Sequence, residues 1–163
     1  MCINCASSVK IQFSSVLVAH IMTSEFHPFQ QLLTRAKAGD AECFYAVAVC
    51  YTTAYGVAAD NEQALYWYKK AWKHQHDSET AMAIARIYFH QHNTRNAVYW
   101  LEKAVDLGDA CAAFEYVQHL MNKKKIKSDI LLWQLLTKVV ASPDISDEQR
   151  NQAFDMIKEL SKQ

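Results

Sequence analysis

Apolar residues recur every three to four positions along most of the chain, the pattern of helices that bury one face. In residues 41–53, for example, Phe44, Val47, Ala48 and Tyr51 share one side of a helix. Nothing alternates convincingly with the period of two that marks a half-buried strand. The pattern therefore predicts an all-α protein. The expected helices span 29–38, 41–53, 61–74, 78–90, 95–107, 110–122, 129–140 and 147–161.

These helices form a repeating pattern of pairs. Trp67, Trp100 and Trp133 lie 33 residues apart, and the first two stand in the similar segments ALYWYKKA and AVYWLEKA. The third copy, LLWQLLT, keeps only the tryptophan and an apolar character. A second apolar series precedes each tryptophan and reads AVAVCY, AIARIY and EYVQHL. A period of this length predicts a solenoid of about three helix pairs, with a leading and a trailing helix that cap its ends.

Glycine, proline and capping residues stand where this scheme needs helices to end or begin. Gly39 and Gly108 follow predicted helices, where a left-handed residue is common, and Pro28 suits a first helical turn. Asp60 and Ser146 each precede a helix that carries glutamine three residues later, which resembles a capping box. The local signals therefore support the helix bounds.

Residues 51–71, YTTAYGVAADNEQALYWYKKA, closely resemble the Sel-one-like repeat (SLR), a relative of the tetratricopeptide repeat. The residues that carry the resemblance are Tyr51, Gly56, Val57, Asp60, Ala64, Trp67, Tyr68, Lys70 and Ala71. Ala54 replaces the first loop glycine of that repeat. The second unit keeps the helix positions but has a shorter loop, and the third unit is weak. The resemblance covers 41–121 well, and it implies a right-handed α-α superhelix that binds proteins or peptides.

We assign residues 22–163 to one helical repeat domain. Residues 1–21 lack helical periodicity, and Met22 is itself a plausible start, so 1–21 are interpreted as a disordered or wrongly assigned extension. The apolar run from Val16 to Ala19 is shorter than the ~7–15 residues of a secretory signal. Export by a non-standard signal is the alternative to a cytoplasmic protein. No stretch approaches the ~20 apolar residues of a membrane span, so membrane insertion is not expected.

Composition narrows the class of partner. Lys plus Arg and Asp plus Glu each total 17, and a neutral chain has no long-range attraction to nucleic acid or anionic lipid. Its one basic cluster, at 123–127, fits a solvated turn. Five irregularly spaced cysteines favour free thiols and a reducing compartment over a disulfide framework.

Two patterns could carry chemistry. Cys2 and Cys5 have the spacing of half a zinc site or a redox pair, but the chain lacks the second ligand pair or the βαβ context that these need. The pairs His74-x-His76 and His90-x-His92 each follow a predicted helix, where the helix dipole favours histidine. We expect no enzyme, no cofactor and no metal. The alternative is a metal- or thiol-dependent protein on the same scaffold.

The predicted binding surface is a stripe on the first helix of each pair that faces neither its own second helix nor the neighbouring pair. By resemblance to tetratricopeptide-like solenoids, this side lines a concave groove, and its residue types are enriched in interfaces. The predicted partner-binding residues are Glu42, Tyr45, Val49, Glu79, Met82, Arg86, Phe89, Phe114 and Gln118. The predicted function is an interaction scaffold or adaptor, with an inhibitor of one partner as a variant. The alternative is that the trailing helix, with Phe154, Ile157 and Leu160, covers the stripe.

Overall fold

A computed structural model describes residues 28–122 and 129–161. The extension at 1–21, the cysteine pair at 2–5 and the basic cluster at 123–127 lie outside these residues. The described residues are helices joined by short loops, so the all-α prediction is confirmed, and each helix ends within one residue of its predicted bound. The helices are α1 (Pro28–Lys37), α2 (Glu42–Thr53), α3 (Asn61–His74), α4 (Ser78–His90), α5 (Thr94–Asp106), α6 (Ala110–Asn122), α7 (Asp129–Ala141) and α8 (Asp147–Leu160).

Each helix packs against the next one along the chain, as expected for a solenoid of stacked pairs. The pairs α2–α3 and α4–α5 are the most closely packed. Four alanines of these two pairs are fully buried: Ala48, Ala64, Ala85 and Ala97. Small side chains let the helix backbones approach, and this close approach stacks the units.

The core consists of two clusters that meet between the repeats. One contains Phe29 and Trp67, and the other contains Leu101 and residues of α6, α7 and α8. Trp72 and Trp100 pack against both clusters, and their rings meet edge to face with centroids 5.2 Å apart. This tryptophan pair therefore makes the hydrophobic core continuous from one unit to the next.

The third tryptophan of the repeat does not occupy the position that its spacing predicts. Trp67 is 3% exposed, whereas Trp133 is 39% exposed. The buried residues of α7 are Leu132, Leu135, Leu136 and Val139, with the same spacing as Ala64, Trp67, Tyr68 and Ala71 in α3. Leu135 therefore corresponds to Trp67, and the prediction that Trp133 continues the series is wrong. The period of 33 fails here because α7 begins 35 residues after the start of α5, whereas α5 begins 33 residues after the start of α3.

Both predicted N-caps are confirmed, but the capping box at Asp60 is incomplete, because the Asp60 backbone N–H donates to the Tyr51 carbonyl and not to Gln63. The Asp60 side chain accepts hydrogen bonds from the backbone N–H groups of Glu62 and Gln63, and Ser146 forms a full capping box with Gln149. Gly56 has φ +69°, and a Cβ there would lie 3.0 Å from Phe29 Cβ. Both its conformation and its contact with α1 therefore require glycine.

A candidate groove along the first helices of the repeats

The first helices of the three pairs are α2, α4 and α6, and equivalent positions are 37 residues apart from α2 to α4 and 32 from α4 to α6. The predicted stripe differs in exposure along this row. Glu42, Glu79 and Arg86 are exposed, and Tyr45, Val49, Phe89 and Gln118 are half-buried. Met82 and Phe114, the equivalents of Tyr45, are 5% and 4% exposed. Phe114 is therefore a core residue, whereas Met82 still lines a surface cleft.

Three clefts between these helices share Tyr45, and together we call them the groove. The upper cleft, about 410 Å³, lies at the start of α4, where Glu42, Asp77 and Glu79 meet His74 of α3. The middle cleft, about 470 Å³, separates α4 from the start of α6, between Met82 and Cys111. The lower cleft, about 510 Å³, runs between α2 and α4 beside Val49 and Tyr68.

Tyr45 is held in place on both sides. Its hydroxyl donates a 2.6 Å hydrogen bond to Glu79 Oε1, and its ring packs edge to face on Tyr68 with centroids 5.4 Å apart. Burial, and then the Glu79 carboxylate, raise the pKa of Tyr45 well above its ordinary value, because both disfavour a phenolate there. Tyr45 therefore joins α2 to α4 and lines the groove.

Arg86 is the second fixed side chain, and it lines both the middle and the lower cleft. Its guanidinium donates a hydrogen bond of 2.8 Å to Glu115 Oε1, which joins α4 to α6. The hydrogen bond from Arg86 to that carboxylate raises the arginine pKa, so the group stays charged at every physiological pH. Glu115 lies one residue beyond the predicted stripe and 29 residues from Arg86, so helical spacing does not identify it as a partner.

The trailing helix lines none of the three clefts of the groove, but it borders the end of the predicted stripe at Gln118. Residues of α8, among them Met156 and Glu159, border a separate cleft of about 490 Å³ with Gln118 and Met121 of α6. Phe154 is 43% exposed, and Ile157 and Leu160 pack on the core as half-buried side chains. Helix α8 therefore lies beside α6 and continues the row of first helices, and the clefts beside Tyr45 and Arg86 stay open.

The groups that could serve a metal- or thiol-dependent protein are scattered. All four paired histidines are exposed, and the ring of His76 packs on Trp72 at 4.7 Å. Within residues 28–122 and 129–161, no three His, Cys, Asp or Glu side chains converge on a point that could hold a metal ion. Burial raises the pKa of the Cys43, Cys50 and Cys111 thiols, which disfavours the reactive thiolate.

The first two helix pairs match a known family of repeats. The Sel1 repeat family matches residues 39–76 and 79–109, which are the helix pairs α2–α3 and α4–α5. These two segments are Sel1 repeats. The expected resemblance is thus confirmed for the first two units, and the third pair, α6–α7, lies outside the matched segments. Sel1-repeat proteins are generally scaffolds for protein–protein interaction and bind other proteins.

Two solved structures share the fold. One is a protective antigen present in uropathogenic Escherichia coli strains displaying an SLR fold, with 27% identity and a TM-score of 0.56 over 69% of this chain. The other is a Sel1 repeat protein from Oxalobacter formigenes, with 17% identity and a TM-score of 0.55 over 80% of this chain. The alignments span 25% and 63% of those two chains. No curated protein sequence matches this one.

Among the helices of the described residues, none is long and apolar enough to cross a membrane.

Proposed function

We propose that the groove binds a segment of a partner protein, so that this protein acts as an interaction scaffold or adaptor. The observation that carries the proposal is the open surface around Tyr45 and Arg86, which α8 leaves uncovered. Tyrosine and arginine side chains near the centre of an interface are among the groups that dominate binding energy. An inhibitor of one specific partner would use the same surface.

The two central side chains already have partners within the fold. Glu79 and Tyr68 fix Tyr45, and Glu115 fixes Arg86. Immobilising a flexible side chain on binding costs about 0.5–1.5 kcal/mol, so anchors that are held by the fold lose less of their contact energy. Both contacts also join neighbouring units, so the shape of the groove and the positions of its anchors depend on the same bonds.

The test is a double variant, Tyr45→Ala with Arg86→Glu. Peptides selected from a random displayed library against the full chain are labelled, and their dissociation constants are measured by fluorescence anisotropy. We expect the groove variant to bind them at least about tenfold more weakly, the equivalent of about 1.4 kcal/mol, because both anchors are lost.

The matched control is Tyr99→Ala with Arg95→Glu, which makes the same substitutions at exposed positions on the second helix α5. It should bind as the wild type does. Unchanged affinity in a groove variant that keeps its helical circular dichroism would refute the proposal. If the double variant unfolds, Arg86→Ala alone supplies the comparison, since Arg86 is exposed and lies outside the core.

A further inference from the structure

The neutrality of the whole chain conceals an uneven distribution of charge. Five carboxylates line the upper and middle clefts, and we call them the acidic wall: Glu42, Asp77, Glu79, Asp109 and Asp144. The basic side chains that line the same two clefts are His74 and Arg86, and Arg86 is already paired with Glu115. This part of the groove therefore carries a local negative charge that the balanced totals of 17 and 17 do not reveal.

Four of the five carboxylates of the acidic wall follow from the repeat itself. Glu42 and Glu79 occupy equivalent positions in α2 and α4, and Asp77 and Asp109 are equivalent residues just before α4 and α6. The two aspartates accept hydrogen bonds from the backbone N–H groups of Thr80 and Ala112 at the starts of these helices. Because these positions are equivalent, carboxylates recur in the groove from unit to unit.

The floor beside this wall is apolar. Tyr45, Met82, Ala83 and Ala110 line the middle cleft, together with Leu107, which is exposed at the end of α5. An apolar floor with a single charged wall is not suited to every peptide. A segment with acidic residues would face like charges at close range, and such juxtaposition costs binding energy and suppresses wrong partners.

We propose that the segment bound in the groove is basic, with lysine or arginine side chains against the acidic wall and an apolar side chain on the floor around Tyr45 and Met82. This inference rests on the proposed function and adds the chemistry of the partner. The attraction acts locally, since surface charges are screened beyond about 8 Å at physiological salt. The attraction of the acidic wall therefore discriminates among segments that have already entered the groove. It does not attract charged polymers over long distances.

The test uses the peptides selected against the full chain and reads their sequences as well as their affinities. Peptides whose binding is lost with Tyr45→Ala should be enriched in lysine and arginine over the starting library. Their affinity should fall about threefold to tenfold in Glu79→Gln with Asp144→Asn, the range expected when two exposed ion pairs are removed. The glutamine keeps an acceptor for the Tyr45 hydroxyl, so the anchor stays in place.

The matched control is Asp106→Asn with Glu148→Gln, which also removes one aspartate and one glutamate charge, but at exposed positions on α5 and α8. It should leave affinity unchanged, and equal losses in both double variants would mean a general charge effect and overturn the inference. Tyr45-dependent peptides that are neutral or acidic would also overturn it while leaving the proposed function intact. If none of the selected peptides depends on Tyr45 for binding, the proposed function is refuted as well. Tyr45-dependent dimers in sedimentation analysis would assign the groove to a second copy of the chain.

Discussion

Tyr45 and Glu79 are 34 residues apart in the chain, yet the tyrosine hydroxyl donates a 2.6 Å hydrogen bond to that carboxylate. A second bond of the same kind, 2.7 Å from Tyr116 to Glu102, joins α6 to α5. In both, a partly buried phenol is paired with a carboxylate, and burial and the nearby negative charge raise the tyrosine pKa. Two contacts between neighbouring helices thus depend on the neutral form of tyrosine.

The first prediction concerns alkaline pH. An unfolded tyrosine ionises near pH 10, whereas Tyr45 and Tyr116 keep their protons to higher pH in the folded state. Above about pH 10 the unfolded state therefore binds fewer protons than the folded state, and the free energy of unfolding falls as pH rises. Urea unfolding between pH 8 and pH 11 measures this slope. Tyr45→Phe with Tyr116→Phe should flatten it, whereas Tyr55→Phe, at a position 61% exposed, should leave it unchanged.

The second prediction separates the two tryptophans that the repeat period treats as equivalent. Trp67→Ala leaves a cavity among Phe44, Tyr68 and the alanines of the first unit, and should lower the free energy of unfolding by about 3–5 kcal/mol. Trp133→Ala removes a side chain that is partly in solvent, and should have a much smaller effect. Thermal unfolding of both variants checks this, and equal losses would contradict the burial pattern of α7.

The third prediction concerns the C-terminus of α2. Ala54 has φ +58°, a left-handed conformation that a non-glycine residue adopts at an energetic cost, and it stands where the SLR pattern has glycine. Ala54→Gly should raise the free energy of unfolding by about 0.5–1 kcal/mol, because the relief of strain exceeds the added chain entropy of glycine. Urea unfolding gives the value directly.

Ala58→Gly is the matched control in the same loop, since positive φ among the described non-glycine residues occurs at Ala54 and His92. Glycine at position 58 relieves no such strain and should be neutral or destabilising by up to about 1 kcal/mol. Stabilisation by both substitutions would show that loop flexibility, and not the backbone conformation of Ala54, is responsible.

Sequence alone was sufficient for the helices and their ends. The Asp60 cap, the Ser146 capping box and the three- to four-residue apolar spacing involve residues within one or two turns of each other, so a linear pattern contains the whole interaction. The same holds for the pairing of helices in the first two repeats, where Trp67 and Trp100 and their neighbours recur at equal spacing. The stripe along α2, α4 and α6 also followed from helical spacing.

Only the tertiary structure decided which residues of that stripe face solvent. Tyr45, Met82 and Phe114 are equivalent along the repeat, yet Phe114 is buried with residues of α7 and α8, and Tyr45 borders three clefts. The pairing of Arg86 with Glu115 also depends on neighbours from other helices. The same is true of the burial of Leu135 at the position where the period would place Trp133. The period along a helix fixes which side a residue lies on, but its burial is set by whatever packs there from elsewhere in the chain.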